Sequence, residues 1–263
     1  MIAPLFGKVA LVLGGADGVA AAISRRLAGD GASVAMVYKS RTTRAIKPQK
    51  MRSNTLSIQA DITNSALLFD VFCKVDGWFG GFDILIYDMG MTLANRQAED
   101  NLEEIYVENV KAFFIAMRIV AQRMQENGRV IAIDSYIAPR SSRSCALRYD
   151  CERSALDRLI RFSALELAPR FITVNMIQSS ASRIAGRGLA GDGPRLNFRD
   201  DWGGVSGFKT FTSLATLLIG PEMQNISGET LTVDENLTGL LVSLVKRPKL
   251  GNQNSEQRNE QWI

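Results

Sequence analysis

The chain has 263 residues, 46% of them apolar and 22% charged, with a net charge of +4 and no histidine. That size and composition support a substantial core in one large domain or two. The missing histidine excludes Ser-His-Asp triads, Cys-His dyads and histidine-based metal sites, so acid–base work falls to Tyr, Lys, Arg-assisted groups or carboxylates. The mild positive charge does not by itself point to nucleic acid. The first residues, Met-Ile-Ala-Pro-Leu-Phe-Gly-Lys, lack the layout of a signal peptide, and no apolar run reaches the roughly 18 residues of a membrane span. Cys73, Cys145 and Cys151 are odd in number and show no metal-ligand spacing, which fits a reducing compartment. The expectation is a cytoplasmic protein with no metal and neither nucleic acid nor membrane as partner.

Lys8–Leu13 is a continuous apolar run suited to a strand buried on both faces. A glycine-rich turn, Gly14-Gly15-Ala16-Asp17-Gly18, and an alanine-rich amphipathic helix ending at Gly29-Asp30-Gly31 follow it. Strand, glycine turn and helix aim backbone N–H groups and a helix N-terminus at a phosphate, and the same turn also occurs without a ligand. Ser33–Tyr38 predicts a second strand, and no acidic residue follows before Asp61, whereas Lys39, Arg41, Arg44, Lys47, Lys50 and Arg52 do. In a dinucleotide fold an acid after this strand binds the ribose 2′-hydroxyl, and cations accommodate a 2′-phosphate. Lys39, Ser40 and Arg41 are therefore assigned to a 2′-phosphate, favouring NADP(H) over NAD(H), while Lys47, Lys50 and Arg52 read as a solvated basic loop.

Leu56–Asp61 predicts a third strand, Ser65–Phe79 a helix, Phe82–Tyr87 a fourth strand, and Leu102–Met124 a long helix. Gly128–Ser135 predicts a fifth strand, Tyr149–Leu167 a helix stopped by Pro169, and Phe171–Asn175 a further strand. The alternation implies parallel pairing with right-handed crossovers: an α/β fold, a single-domain Rossmann-type doubly wound sheet flanked by helices. That domain spans 1–245, and 246–263 is a polar tail without a core stripe. The glycine-rich stretch at about 180–208 holds Phe198 and Trp202 and reads either as a substrate lid or as a disordered insertion. Thr210–Ile219 predicts a helix and Glu229–Val233 a last strand.

Taken together, these pieces resemble the short-chain dehydrogenase/reductase family from about Gly7 to Thr238. That family's Thr-Gly-x-x-x-Gly-x-Gly becomes Leu13-Gly14-Gly15-Ala16-Asp17-Gly18-Val19-Ala20, and its adenine-contacting Asp matches Asp61, followed by Ile62. Its Asn-Asn-Ala-Gly becomes Tyr87-Asp88-Met89-Gly90, its Asn falls on Asn109, its Ser on Ser135, and its Tyr-x-x-x-Lys on Tyr149 to Arg153. The resemblance implies cofactor contacts from Gly14, Asp17, Gly18, Val19, Asp61, Ile62, Gly90, Tyr149 and Arg153, and a catalytic set of Ser135, Tyr149, Arg153 and Asn109. It also implies a homodimer or homotetramer.

In the family mechanism the Tyr protonates a carbonyl oxygen while hydride arrives from the nicotinamide, and the Ser hydrogen-bonds that oxygen. The Lys holds the ribose, lowers the Tyr pKa and passes protons along an Asn-supported water chain. Arg153 shares a helix face with Tyr149 at the i,i+4 spacing and supplies a cation that favours the phenolate of a group with pKa about 10. With a pKa above roughly 12, an arginine does not readily give up a proton as Lys does, so the relay is weakened. Asp134 and Asp150 each have two readings: a structural one, as a cap, an ion pair with a nearby Arg or a helix N-terminal charge, and one as a substitute for the lost relay.

The resulting expectation is an NADPH-dependent reductase acting on a ketone, imine or related group of a bulky, partly apolar small molecule, in a specialised-metabolite pathway. The alternative is a protein of the same fold repurposed for a non-redox step, such as cyclisation or isomerisation, or a catalytically impaired cofactor-binding module. The changes at Ala20, Tyr87 to Met89, Arg153 and Ser179-Ser180 motivate it.

Overall fold

The most apolar strands take the centre of the sheet. β1 (Val9–Leu13), β4 (Ile84–Asp88) and β5 (Arg129–Asp134) are buried almost throughout, as strands covered by helices on both faces must be. Around them lie β2 (Ser33–Tyr38), β3 (Thr55–Gln59), β6 (Thr173–Ser179) and β7 (Thr230–Val233). All seven run parallel in the order β3-β2-β1-β4-β5-β6-β7. The order reverses direction between β1 and β4, which makes the crevice above their C-terminal ends the expected ligand position. The computed structural model describes residues 3–14, 18–39, 54–89, 106–134, 143–179 and 205–233.

Two apolar layers sandwich the sheet. On one face α1 (Gly18–Gly29) and α5 (Val205–Ile219) bury Ile23, Leu27, Phe211 and Leu218 against Val12, Ile86 and Ile133. On the other, α2 (Ser65–Phe79), α3 (Ala112–Arg123) and α4 (Arg143–Leu167) bury Phe72, Phe113, Leu156 and Ile160 against Leu11, Leu85, Tyr87 and Ala132. Strand alternation sorts the functional ends: Tyr87 belongs to the α2–α4 layer, and Asp134 follows Val130 and Ala132 onto that same face.

The element boundaries carry their own causes. Asn64 caps α2 by accepting from the amides of Ala66 and Leu67, at 3.0 and 3.2 Å, and Gly80 ends it at φ 80. α4 begins at Arg143, earlier than the Tyr149 that the sequence suggests. β6 begins at Thr173 and runs to Ser179, because Phe171 closes a short 3-10 turn in the left-handed region at φ 56. Before α3, Tyr106–Lys111 form a π-helical segment that carries Asn109, a local widening often found where a helix serves a site.

Candidate active site

The glycine turn stands where a dinucleotide phosphate would be held. Gly14 leaves β1 at φ 103, a conformation that strains any side chain, and its amide donates to the Val37 carbonyl at 3.1 Å. Gly18 opens α1 at φ 60, and a Cβ added there would meet nothing within 4 Å. No acid occupies the first turn of α1, and the positive end of its dipole favours an anion. Val19 and Ala20 are buried against the sheet; the Ala20 methyl packs in the α1–α5 core. Asp17, Ser40, Arg41 and Gly90 lie outside the described residues.

Two of the expected cofactor residues bind each other. Lys39, at the end of β2, pairs with Asp61 at 2.8 Å, and Asp61 also accepts from the Thr63 amide and hydroxyl at 3.0 and 2.7 Å. Burial alone would raise the Asp61 carboxyl, but Lys39 and Thr63 outweigh it and hold its pKa below the ordinary value. The half-exposed pair contributes at most about 1 kcal/mol to stability, and what it does give is present above the ordinary carboxylate pKa and lost as pH falls through the depressed one. Ile62, next in the chain, is buried in the α2–α4 core.

The second cluster sits at the C-terminal end of β5. Asp134 is fully buried and forms an ion pair with Arg153 of α4, which is the structural pairing open to it from the sequence. The Arg153 guanidinium also lies 3.8 Å from the Met89 sulfur. On the preceding residue of α4, Glu152 is 4% exposed and accepts a hydrogen bond of 2.6 Å from Asn109, itself 1% exposed. Burial drives the Glu152 pKa upward; Arg153 and the Asn109 amide pull it down, and Asp134 pushes it up again, for a net rise. The backbone of Tyr149 lies in α4, one turn ahead of both Glu152 and Arg153. Ser135 lies outside the described residues, as do most of the stretch at 180–208 and all of 246–263.

Sequence reasoning did not single out Glu152. The available signal was its register: Glu152, Leu156, Ile160 and Ser163 fall on one helix face, so an acid there had to be buried. Tyr87, which replaces a family Asn, packs edge-on against Phe113 with centroids 5.2 Å apart, and burial raises its phenol pKa far above the usual value. It belongs to the core. A polar cleft of about 720 Å³, lined by residues that include Gly7, Asp83, Gln125 and Arg170, opens at the opposite end of the sheet, where the strands begin. None of the assigned residues lines it, and ligands of open α/β sheets bind at the other end.

Among the described residues, no group of three or more Cys, Asp or Glu could hold a metal ion, and no helix is long and apolar enough to cross a membrane.

Residues 14–238 match the family model described as Enoyl-(Acyl carrier protein) reductase. The chain is 33% identical to hydroxynaphthalene reductase arp2 of Aspergillus fumigatus over 181 residues, 66% of each protein. Among solved structures it is similar to a short-chain dehydrogenase/reductase from Serratia marcescens, with TM-score 0.64 and 31% identity, covering 88% of this chain and 98% of that one. A short-chain dehydrogenase from Burkholderia cenocepacia in complex with NADP superposes with TM-score 0.69 at 28% identity, covering 89% of this chain and all of that one. With its parallel seven-stranded sheet and a matched segment covering most of its length, the chain belongs to the short-chain dehydrogenase/reductase family of oxidoreductases.

Proposed function

We propose that the protein is an NADPH-dependent reductase of the carbonyl or imine group of a bulky small molecule, acting in the cytoplasm in a specialised-metabolite pathway. The observation that carries the reading is the convergence of Gly14 and Gly18, Asp134, Asn109 and the Tyr149–Arg153 turn at the C-terminal end of one parallel sheet. The NADP-bound Burkholderia relative and the hydroxynaphthalene reductase support the cofactor and a polycyclic type of substrate.

Bound at the glycine turn, NADPH supplies the hydride. Gly14, Asp17, Gly18 and Val19 hold its pyrophosphate, Lys39, Ser40 and Arg41 its 2′-phosphate, Asp61 and Ile62 its adenine, and Gly90, Tyr149 and Arg153 its nicotinamide ribose side. Tyr149 gives its hydroxyl proton to the substrate oxygen, Ser135 donates a hydrogen bond to the same oxygen, and Asn109 orders the polar groups behind them.

Cofactor choice is testable by titration. Arg41→Ala is expected to raise the NADPH dissociation constant roughly 10-fold or more, the worth of one charged hydrogen bond, and to leave that for NADH unchanged. Equal weakening of both would remove the 2′-phosphate assignment. The same reading includes a homodimer or homotetramer built on α3 and α4, whose Phe114, Phe162 and Leu165 are 44, 62 and 77% exposed; sedimentation at the mass of a monomer would contradict it.

A second reading, a non-redox step or a cofactor-binding module, draws on one observation. Arg153 is tied to Asp134 and Asn109 to Glu152, so side chains that serve ribose and water elsewhere in the family engage partners of their own here. Binding of NADPH without its consumption would favour this reading.

A further inference from the structure

From the geometry at the ends of β2 and β3 we infer that Asp61 is a specificity-determining residue for the 2′ position of the cofactor: it shares the Lys39 ammonium with the 2′-phosphate and so limits the preference for NADPH over NADH. The inference rests on the dinucleotide part of the reading above and is independent of the chemistry that follows binding.

Strand pairing brings the two groups together. Tyr38, the last residue of β2, stands opposite Gln59, the last of β3, and the Ala60 amide donates to the Tyr38 carbonyl at 3.0 Å. Lys39 and Asp61 therefore leave the sheet side by side. Asp61 is the fixed member. Its Oδ1 accepts from the Thr63 amide at 3.0 Å and the Thr63 hydroxyl at 2.7 Å, and its backbone carbonyl accepts from the Asn64 amide at 3.1 Å. Its second oxygen, Oδ2, lies 2.8 Å from the Lys39 Nζ. Burial raises the Asp61 pKa, but Lys39 and Thr63 outweigh it, so the carboxyl is ionised at neutral pH.

A fixed anion beside a flexible cation decides where that cation sits. An ammonium carries three N–H donors on a rotatable stem, so Lys39 can serve Asp61 and a phosphate together, but each acceptor weakens its pull on the other. A 2′-phosphate at this end of β2 meets an ammonium already partly neutralised, with a carboxylate of the phosphate's own sign beside it. The 2′-hydroxyl of NADH is uncharged and nearly indifferent to both. The pair thus lowers affinity for NADPH and leaves that for NADH almost untouched. With the Lys39 side chain 48% and the Asp61 side chain 33% exposed, solvent screening keeps the effect to a few-fold.

The adenine, which Asp61 also serves in this reading, is common to both cofactors, so a ratio of affinities cancels that contact. Asp61→Asn keeps an oxygen for the Thr63 donors and the adenine while removing the charge. The probes are adenosine 2′,5′-bisphosphate and 5′-AMP, which differ only in the 2′-phosphate, titrated calorimetrically into the full-length protein; NADPH and NADH form a second pair. The dissociation constant of 5′-AMP divided by that of the bisphosphate is expected to rise roughly 3–10-fold in Asp61→Asn. Adding Lys39→Met should abolish that rise. In the wild-type background Lys39→Met should lower the ratio by less than it does beside Asp61→Asn, the non-additivity of two residues that share a partner.

An unchanged or smaller ratio in Asp61→Asn, or a rise that survives Lys39→Met, overturns the inference. So does a wild-type protein that binds neither the bisphosphate nor NADPH. A protein that shows the expected ratios and yet consumes no NADPH with any carbonyl or imine compound loses the reductase reading and keeps the inference.

Discussion

Tyr149→Phe is expected to lower kcat roughly 10²–10⁴-fold, the usual contribution of a positioned acid–base group, equivalent to about 3–5 kcal/mol of barrier. Removing one hydroxyl leaves the aromatic ring to occupy the same volume, so folding should be nearly unchanged and NADPH binding weakened only by the loss of one ribose contact. The loss would then fall on kcat rather than KM, the signature of an interaction made only in the transition state. Single-turnover measurements with saturating NADPH and a panel of bulky ketones and imines read the chemical step directly. A Tyr149→Phe enzyme working at the wild-type rate would take Tyr149 out of the mechanism.

The second large effect concerns stability. Asp134 and Arg153 form an ion pair in the interior, and deleting one partner of such a pair typically costs about 3–5 kcal/mol because the other is left buried and uncompensated. Asp134→Ala should sit at the lower end, about 3 kcal/mol, since the Glu152 carboxyl beside Arg153 takes over part of the compensation. For a chain of this size that corresponds to a melting temperature lower by roughly 6–12 °C. Removing both charges with Asp134→Ala and Arg153→Met should recover much of the loss, because an apolar replacement of a buried pair is often close to neutral. Thermal melts of the two single variants and the double variant test this; an unchanged Asp134→Ala, or a double variant as unstable as the sum of the singles, would show that the pair does not hold that corner together.

The strands and most helices were legible because their patterns are strong. Val9–Leu13 and Ile84–Asp88 are apolar without interruption, and only a sheet covered on both faces accepts such runs. The start of α4 was less legible. Nothing between Arg143 and Arg148 breaks a helix, and Ala146, Leu147 and Arg148 favour one, but the apolar stripe that marks the helix begins later. The β6 boundary was hidden because Phe171 reads as a strand residue and takes instead a left-handed turn set up by the preceding Pro169.

In the site, the spacing of Tyr149 and Arg153 was readable from helix geometry, and pairing with an arginine was one of the readings open to Asp134. The choice of Arg153 required the register between β5 and α4, which no local pattern contains. Glu152 was harder, since charged residues are usually read as solvated; only its place on the Leu156–Ile160 face reveals burial. The Lys39–Asp61 pair likewise depends on β2 lying beside β3. Long-range juxtaposition, rather than local propensity, separates what was read from what was not.

The claim that binds these parts is that this protein moves a hydride to a carbonyl or imine carbon. NADPH carrying deuterium at the transferable position of the nicotinamide C4, incubated with the wild-type protein and a reducible ketone, tests it most directly, with mass spectrometry of the product as the readout. The account predicts deuterium on the new carbinol carbon in step with NADPH consumption; a product without deuterium, or a rearranged product formed while NADPH is untouched, would contradict it.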